Sequence, residues 1–379
     1  MSTSDIKANA QEVLAPVHEL LQKTPTSALC KPKQDIVTLR QNLSIGDAMQ
    51  ILAKRGILSA PIVLEPDLEE MGGLPEEREL SPQLLGWLDV SDILRAFLDH
   101  LKRGGDLVPS KMLALMSAIE KAAPSFISRM LITIPSIEDR NLLYASEAGT
   151  TPLSSTIRDL FLRPSEGGMS AVVHRIALFG PHGDITNIVS QMDVIKFLAA
   201  RPEALGPLAD ATLGQLGVLD SAREVVSVDP LTPTLAAFAM LASRQLAGAP
   251  VVADTGDLIA NLSISDLRTL TGEHLGVLAL PVAEFLALRH DTTYIGYSVH
   301  TSSLAQHAYF NAAHRQIGPG KNDIALFTVV PATTFKGLLA KFVERHVHRV
   351  YVVESLERPR VCTVITLTDV LRLVTSLAT

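Results

Sequence analysis

The chain has 379 residues, 47% of them hydrophobic, and a formal net charge of −7. That length and apolar content give room for two or more packed domains and exclude wholesale disorder. The acidic balance excludes a general nucleic-acid or anionic-membrane surface, and two cysteines, Cys30 and Cys362, make neither a disulfide framework nor a zinc cluster.

Residues 1–23 carry no apolar signal core and no arginine, and position 2 is Ser2, so a secreted, imported or myristoylated chain is not expected. Strand-like Ile36–Leu39 comes first, then a helix capped by Ser44 and stopped at Gly56. Ala60–Leu64 reads as a buried strand and Leu84–Leu88 as its partner. The acidic segment between them, Glu65–Gln83, reads as an exposed loop. A helical pattern then opens at Asp92. The same order returns three times. The second copy is clear from His174–Phe179 through the turn Gly180–Asp184 to strand Ile185–Val189 and helix Val194–Ala200. The third runs from strand Val225–Val228 and helix Thr234–Arg244 to strands Ala249–Val252 and Leu258–Leu262. The fourth has Ala325–Val329, helix Thr334–Arg345, strands Arg349–Val353 and Val361–Ile365, and a last helix to Leu377.

Each copy closes on one corner: Asp89-Val90-Ser91-Asp92, Ser190-Gln191-Met192-Asp193, Ser263-Ile264-Ser265-Asp266 and Thr366-Leu367-Thr368-Asp369. A repeated acid at a strand-to-helix junction predicts a repeated architecture and a repeated ligand acceptor. Two linkers, Lys102–Ser136 and Thr271–Asn322, read as helical without a legible purpose. Leu275–Leu288 is broken by Pro281 and Glu284 and is too short to span a bilayer. His300, His307 and His314 recur every seven residues, about 10.5 Å apart on a helix, too far for one metal ion. Phosphate-loop, dinucleotide, hydrolase and kinase signatures are absent.

A βαββα unit with a closing hydroxyl-x-x-Asp resembles the cystathionine-β-synthase (CBS) motif. Four of them resemble the γ regulatory subunit of AMP-activated and sucrose-nonfermenting-type protein kinases. The strongest local match is Glu344-Arg345-His346-Val347-His348-Arg349-Val350-Tyr351-Val352-Val353 with Val364-Ile365-Thr366-Leu367-Thr368-Asp369, and a second His-Arg, His174-Arg175, stands at the matching place in unit two. The stretch from Leu262 to Pro281 looks closest to plant and algal members. The resemblance implies an α+β (α/β) fold of four CBS repeats, at 36–101, 141–200, 221–272 and 324–379. They would pair one with two and three with four into two modules that form a flat pseudo-symmetric disc. It also implies a non-catalytic, cytoplasmic or nuclear subunit of a heterotrimer. The partners would be a kinase α catalytic subunit and a β scaffold subunit. AMP, ADP or ATP would be the regulatory ligand, with no required cofactor, metal, nucleic acid or membrane.

The implied nucleotide-binding residues are Asp266, Asp369, Ser263, Thr366, Arg349, His348, Arg175, His174, Asp193, Ser190 and Asp92. The chemistry suits them. A carboxylate only accepts, so it matches the donors of a ribose cis-diol. Arginine grips phosphate bidentately, and histidine adds a donor whose charge follows pH. The ordinary account of the corners is helix capping, which explains a hydroxyl and an acid three residues apart without a ligand. Three departures weigh on the family pattern. Leu58 and Met192 stand where animal members carry cations, and Asp89 replaces a small hydroxyl residue. An interaction scaffold without nucleotide sensing is therefore the second expectation.

Overall fold

The computed structural model describes residues 10–64, 83–103, 111–134, 142–162, 173–181, 183–218, 224–290 and 326–376. The chain begins with α1 (Ala10–Lys23). Unit one is β1 (Leu39–Arg40), α2 (Ile45–Arg55), β2 (Ser59–Leu64), β3 (Gln83–Asp89) and α3 (Val90–Arg103). Then come α4 (Met112–Ile127) and unit two: β4 (Leu142–Tyr144), α5 (Ala145–Ala148), α6 (Leu153–Thr156), a π turn Ile157–Phe161, β5 (Arg175–Phe179), β6 (Ile185–Ser190) and α7 (Gln191–Ala199). A 3₁₀ segment, Pro202–Asp210, precedes unit three, which is α8 (Thr234–Ser243), β7 (Gly248–Val252), β8 (Leu258–Ser263) and a 3₁₀ turn, Ile264–Leu267. A second 3₁₀ segment, Gly272–Ala279, and α9 (Val282–His290) lead to unit four: β9 (Thr328–Val329), α10 (Phe335–Arg345), β10 (Arg349–Val353), β11 (Val361–Thr366) and α11 (Leu367–Thr375).

The local signals act as expected where a cap or a strand pair decides them. Ser44 accepts from the Asp47 amide at 3.0 Å, and Gly56 ends α2 at φ +62°. In units one, two and four the middle strand lies parallel to the first and antiparallel to the third. Two first strands are shorter than expected. Ile36–Leu39 gives way to Leu39–Arg40, and Val225–Val228 reduces to one parallel bridge between Val228 and Val251. The helical pattern after Asp266 yields only a 3₁₀ turn. The loop 65–82 and His300, His307 and His314 lie outside the described residues.

One register repeats in all four sheets. The first residue of the middle strand faces the residue that starts the corner: Ser59 opposite Asp89, Arg175 opposite Ser190, Gly248 opposite Ser263, and Arg349 opposite Thr366. Units two and four thus carry arginine where units one and three carry a small residue. The Arg175 Nη1 donates to Ser59 Oγ at 2.7 Å, and the Arg349 guanidinium lies over Gly248. Big-on-small contacts therefore join unit two to one and unit four to three, the expected pairing. The three–four contact is extended by a bridge from Asp257 to Arg360 and by Leu258 packed with Tyr351 and Val353.

The larger apolar contacts run across those pairs. One core joins units one and three through α2, α3 and α8, under α4 and α9. A second joins units two and four through α7, α10 and α11, under α1. Sheet contacts along one direction and helix contacts along the other close the four units on themselves, so ordering any one unit helps to order its two neighbours.

The linkers acquire a role here. Residues 129–131 bond Leu43 and Ile45 at the start of α2, and residues 24–26 bond Thr151 and Leu153 at the start of α6. Leu280 and Val282 do the same with Thr234 and Thr232 before α8, as Ala211 and Leu213 do with Phe335 and Thr333 before α10. Every unit thus has the start of its first long helix bonded to backbone from outside that unit's own strands and helices. These bonds satisfy amides and carbonyls that a helix beginning would leave open. Among the described residues no helix is long and apolar enough to cross a membrane.

Candidate functional site

The four corners share one local chemistry. In units two, three and four the acid closes a capping box. Asp193 Oδ2 accepts from the Ser190 amide at 2.8 Å and its hydroxyl at 2.6 Å. Asp266 Oδ2 accepts from the Ser263 amide at 2.7 Å, and Asp369 Oδ2 from the Thr366 amide at 2.9 Å. In unit one Asp92 Oδ2 accepts from the Asp89 amide at 2.9 Å, while Asp89 Oδ1 accepts from the Ser91 amide at 2.8 Å. The two carboxylates of that corner are each held by a separate backbone donor. Capping is therefore present at every corner, and it consumes one oxygen of each acid.

The second oxygens differ. Asp92 Oδ1 meets Arg95 at 3.3 Å and Asp369 Oδ1 meets Arg372 at 3.8 Å, both three residues along the same helix. Asp266 has Thr269 at that offset, and its Oδ1 instead meets His290 Nε2 of α9 at 3.4 Å.

The middle-strand residues converge. His174 and His348 stack with ring centroids 6.5 Å apart. The charges acting on these rings are Asp89 from unit one, Arg175 from unit two, Arg268 from unit three and Arg349 from unit four. Arg268 in turn feels Arg289, Arg175 and Asp266. Four guanidinium groups, two imidazoles and two carboxylates, Asp89 and the buried Asp266, therefore occupy one neighbourhood to which all four units and α9 contribute. Arg349 is held against the Tyr351 hydroxyl, which donates to Asn261 of unit three. Burial lowers the Arg349 pKa, and Tyr351 and Asp266 oppose that shift. Burial also raises the Tyr351 pKa, so the phenol stays protonated.

Both imidazoles are kept neutral. Desolvation is the largest cause for each. For His348 the neighbouring His174, Arg175, Arg349 and Arg268 add to it and bring its pKa from 6.5 down to about 4. For His174, Asp89 works against the lowering. Both histidines keep contact with water although protein packs around their rings. The sign follows from linkage: below 6.5 the unfolded chain takes up protons that the folded rings refuse. Stability from His348 is complete above pH 6.5 and is lost as pH falls toward about 4, and His174 acts in the same direction. Discounted for water access, the loss amounts to about 1–2 kcal/mol. Thermal unfolding at pH 7 and pH 4.5, compared between the wild type and His348→Gln, checks this; the variant should lose less stability on acidification.

Of the residues expected from the sequence, His174, Arg175, His348, Arg349 and Asp266 come together. Ser263 supports Asp266. Asp92, Asp369 and Thr366 are engaged at their own corners, as are Asp193 and Ser190. Arg268 and Arg289 were not expected. A signal for Arg268 exists: two residues after the corner acid the other copies carry Leu94, Ile195 and Leu371, all buried, and the third carries arginine. Its stem lines an apolar slot with Met49, Leu52, Ile93 and Phe97, while its Nε is buried without a hydrogen-bond partner among the described residues. Leu58 is buried and Met192 packs on the second core, so neither position offers a cation.

This architecture, βαββα in units one, two and four and reduced to αββ with a 3₁₀ turn in unit three, is the expected CBS-repeat fold. The fold resembles that of a Methanocaldococcus jannaschii protein described as a proposed archaeal homologue of γ-AMPK, with a TM-score of 0.55 and 14% identity over 92% of this chain and 99% of that one. In sequence the chain is similar to Protein SDS23 of Saccharomyces cerevisiae, 23% identical over 360 residues, 91% of this chain and 58% of the relative. It is also similar to Protein SDS23 of Yarrowia lipolytica, 22% identical over 330 residues, 84% of this chain and 55% of the relative. The chain thus spans a little over half the length of these two relatives. No family model matches the sequence.

Proposed function

We propose that this protein is a non-catalytic regulatory chain of the γ-subunit type that binds an adenine nucleotide, AMP, ADP or ATP, at the centre of four CBS repeats spanning 36–101, 141–200, 221–272 and 324–379. It passes occupancy to a Ser/Thr kinase of the AMP-activated type through an α catalytic and a β scaffold subunit. The observation that carries the reading is the convergence of Arg175, Arg268 and Arg349 on two neutral histidines, with Arg289 beside Arg268. Among the described residues the carboxylates acting on this cluster are Asp89 and Asp266, fewer than the guanidinium groups, and the excess of like charge is costly until a polyanion enters. Phosphate is the anion that guanidinium forks fit best. The ribose would reach the corner acids, where each carboxylate has a second oxygen beyond the one its cap uses.

Isothermal titration calorimetry of the purified chain with AMP, ADP and ATP tests the first half, with saturable binding of at least one nucleotide expected. Absence of heat with all three, confirmed by equilibrium dialysis, would remove it. Affinity capture from the native cell tests the second half, with a kinase α subunit among the retained proteins.

A second reading, an interaction scaffold without nucleotide sensing, is favoured by the burial of Leu58 and the packing of Met192 in apolar surroundings. It predicts retained partners with no nucleotide in the captured complex.

A further inference from the structure

Corner three departs from the others in a consistent way. Units one, two and four carry Arg95, Lys196 and Arg372 three residues after the corner acid, where a helix places them beside it. Unit three carries Thr269 there, and its corner makes a 3₁₀ turn in place of a full helix. The cation comes instead from α9. Arg289 Nε donates to the Asp266 carbonyl at 3.1 Å, and His290 Nε2 lies 3.4 Å from Asp266 Oδ1. The lysine or arginine of the other corners is thus replaced at corner three by a histidine from a separate element. Asp266 is itself the most buried of the four acids and faces the arginine cluster. A cleft lined by Asp266, Thr269, His274 and Arg289 among apolar side chains of the 3₁₀ segment and α9 opens beside the pair.

We propose that His290 is a gate on Asp266: it occupies the oxygen that a ribose diol needs and must withdraw for a nucleotide to use the third corner. The inference rests on the nucleotide-binding reading above. The capping oxygen is committed to Ser263, so Oδ1 is the one a ligand can claim, and ligand and His290 compete for it. The other charged and titratable groups around the corner are Arg268 on the turn, His274 on the following 3₁₀ segment, Arg289 on α9, and Arg349 with Tyr351 from unit four. Their effects are common to variants that differ only at position 290.

The test is nucleotide affinity by calorimetry for the full chain, His290→Ala and His290→Lys. His290→Ala should bind about fivefold more tightly than the wild type, in line with loss of a partly exposed contact. His290→Lys, a permanent cation, should bind more weakly than the wild type. Binding that is equal in all three proteins overturns the gate and leaves the nucleotide reading standing. No binding in any of them overturns both. A drop in melting temperature shared by both variants, with affinity unmoved, marks a structural contact only and also overturns the gate.

Discussion

Arg349→Ala should lower nucleotide affinity by about a hundredfold while leaving a folded protein. The side chain lies at the meeting of units three and four, over Gly248 and against Tyr351, with Asp266 close enough to favour its charge. Desolvated there, its guanidinium meets an incoming phosphate in a low-dielectric setting, where a bidentate charge-assisted contact is worth about 1.5–3 kcal/mol. The upper end of that range corresponds to about a hundredfold in affinity. The ligand-free protein should not lose melting temperature, because the substitution also relieves repulsion from the other guanidinium groups and the cost of keeping a cation out of water. Arg349→Lys keeps the charge and loses the fork, so it should fall between, about tenfold weaker than the wild type. Calorimetry beside thermal unfolding reads both quantities. A variant that binds as the wild type does would place the phosphate elsewhere. One that unfolds outright would show that Arg349 is held for structure.

What could be read from the sequence was decided within short windows. Ser44 and Gly56 bound a helix because cap chemistry is local, and the strand Ala60–Leu64 follows from an apolar run beginning at Ala-Pro. The corner acids were equally legible, together with their double meaning as cap and acceptor. The Val-His-Arg run of unit four and the His-Arg of unit two supply the two imidazoles that stack on each other. Three things were not local. The arginine-on-small-residue contact joins Arg175 to Ser59 across more than a hundred positions, and no window contains it. Arg129, Leu280 and Ala211, all outside the strands and helices of the units they serve, act by bonding helix starts far along the chain, which an apolar pattern does not encode. Arg289 and His290 reach the site because α9 folds back on unit three. Arg268 was legible in principle. A charge at a position that is leucine or isoleucine in three aligned copies is an exception that periodicity invites one to notice.

The pairing of large and small residues makes Gly248 the position where a single methyl should do most harm to the fold. A Cβ there would fall on Arg349 Nη1 and 2.5 Å from the Leu262 carbonyl oxygen. The arginine can swing, but the carbonyl belongs to β8, whose register with β7 is fixed from Gly248–Ser263 onward and which leads straight into the Asp266 corner. Relief therefore requires moving a strand. We expect Gly248→Ala to cost about 3 kcal/mol, at the high side of overpacking effects because backbone is involved. It should also displace Arg349 and weaken nucleotide binding. Ser59, its counterpart in unit one, already carries a Cβ and accepts from Arg175, so Ser59→Ala should cost only about 1.5 kcal/mol, one hydrogen bond to a charged donor. Combining Gly248→Ala with Arg349→Ala separates the two collisions: the double variant should recover the part owed to the guanidinium and keep the part owed to Leu262. Chemical denaturation of the four proteins measures all of this. Equal stability of Gly248→Ala and the wild type would mean that units three and four do not meet at this contact.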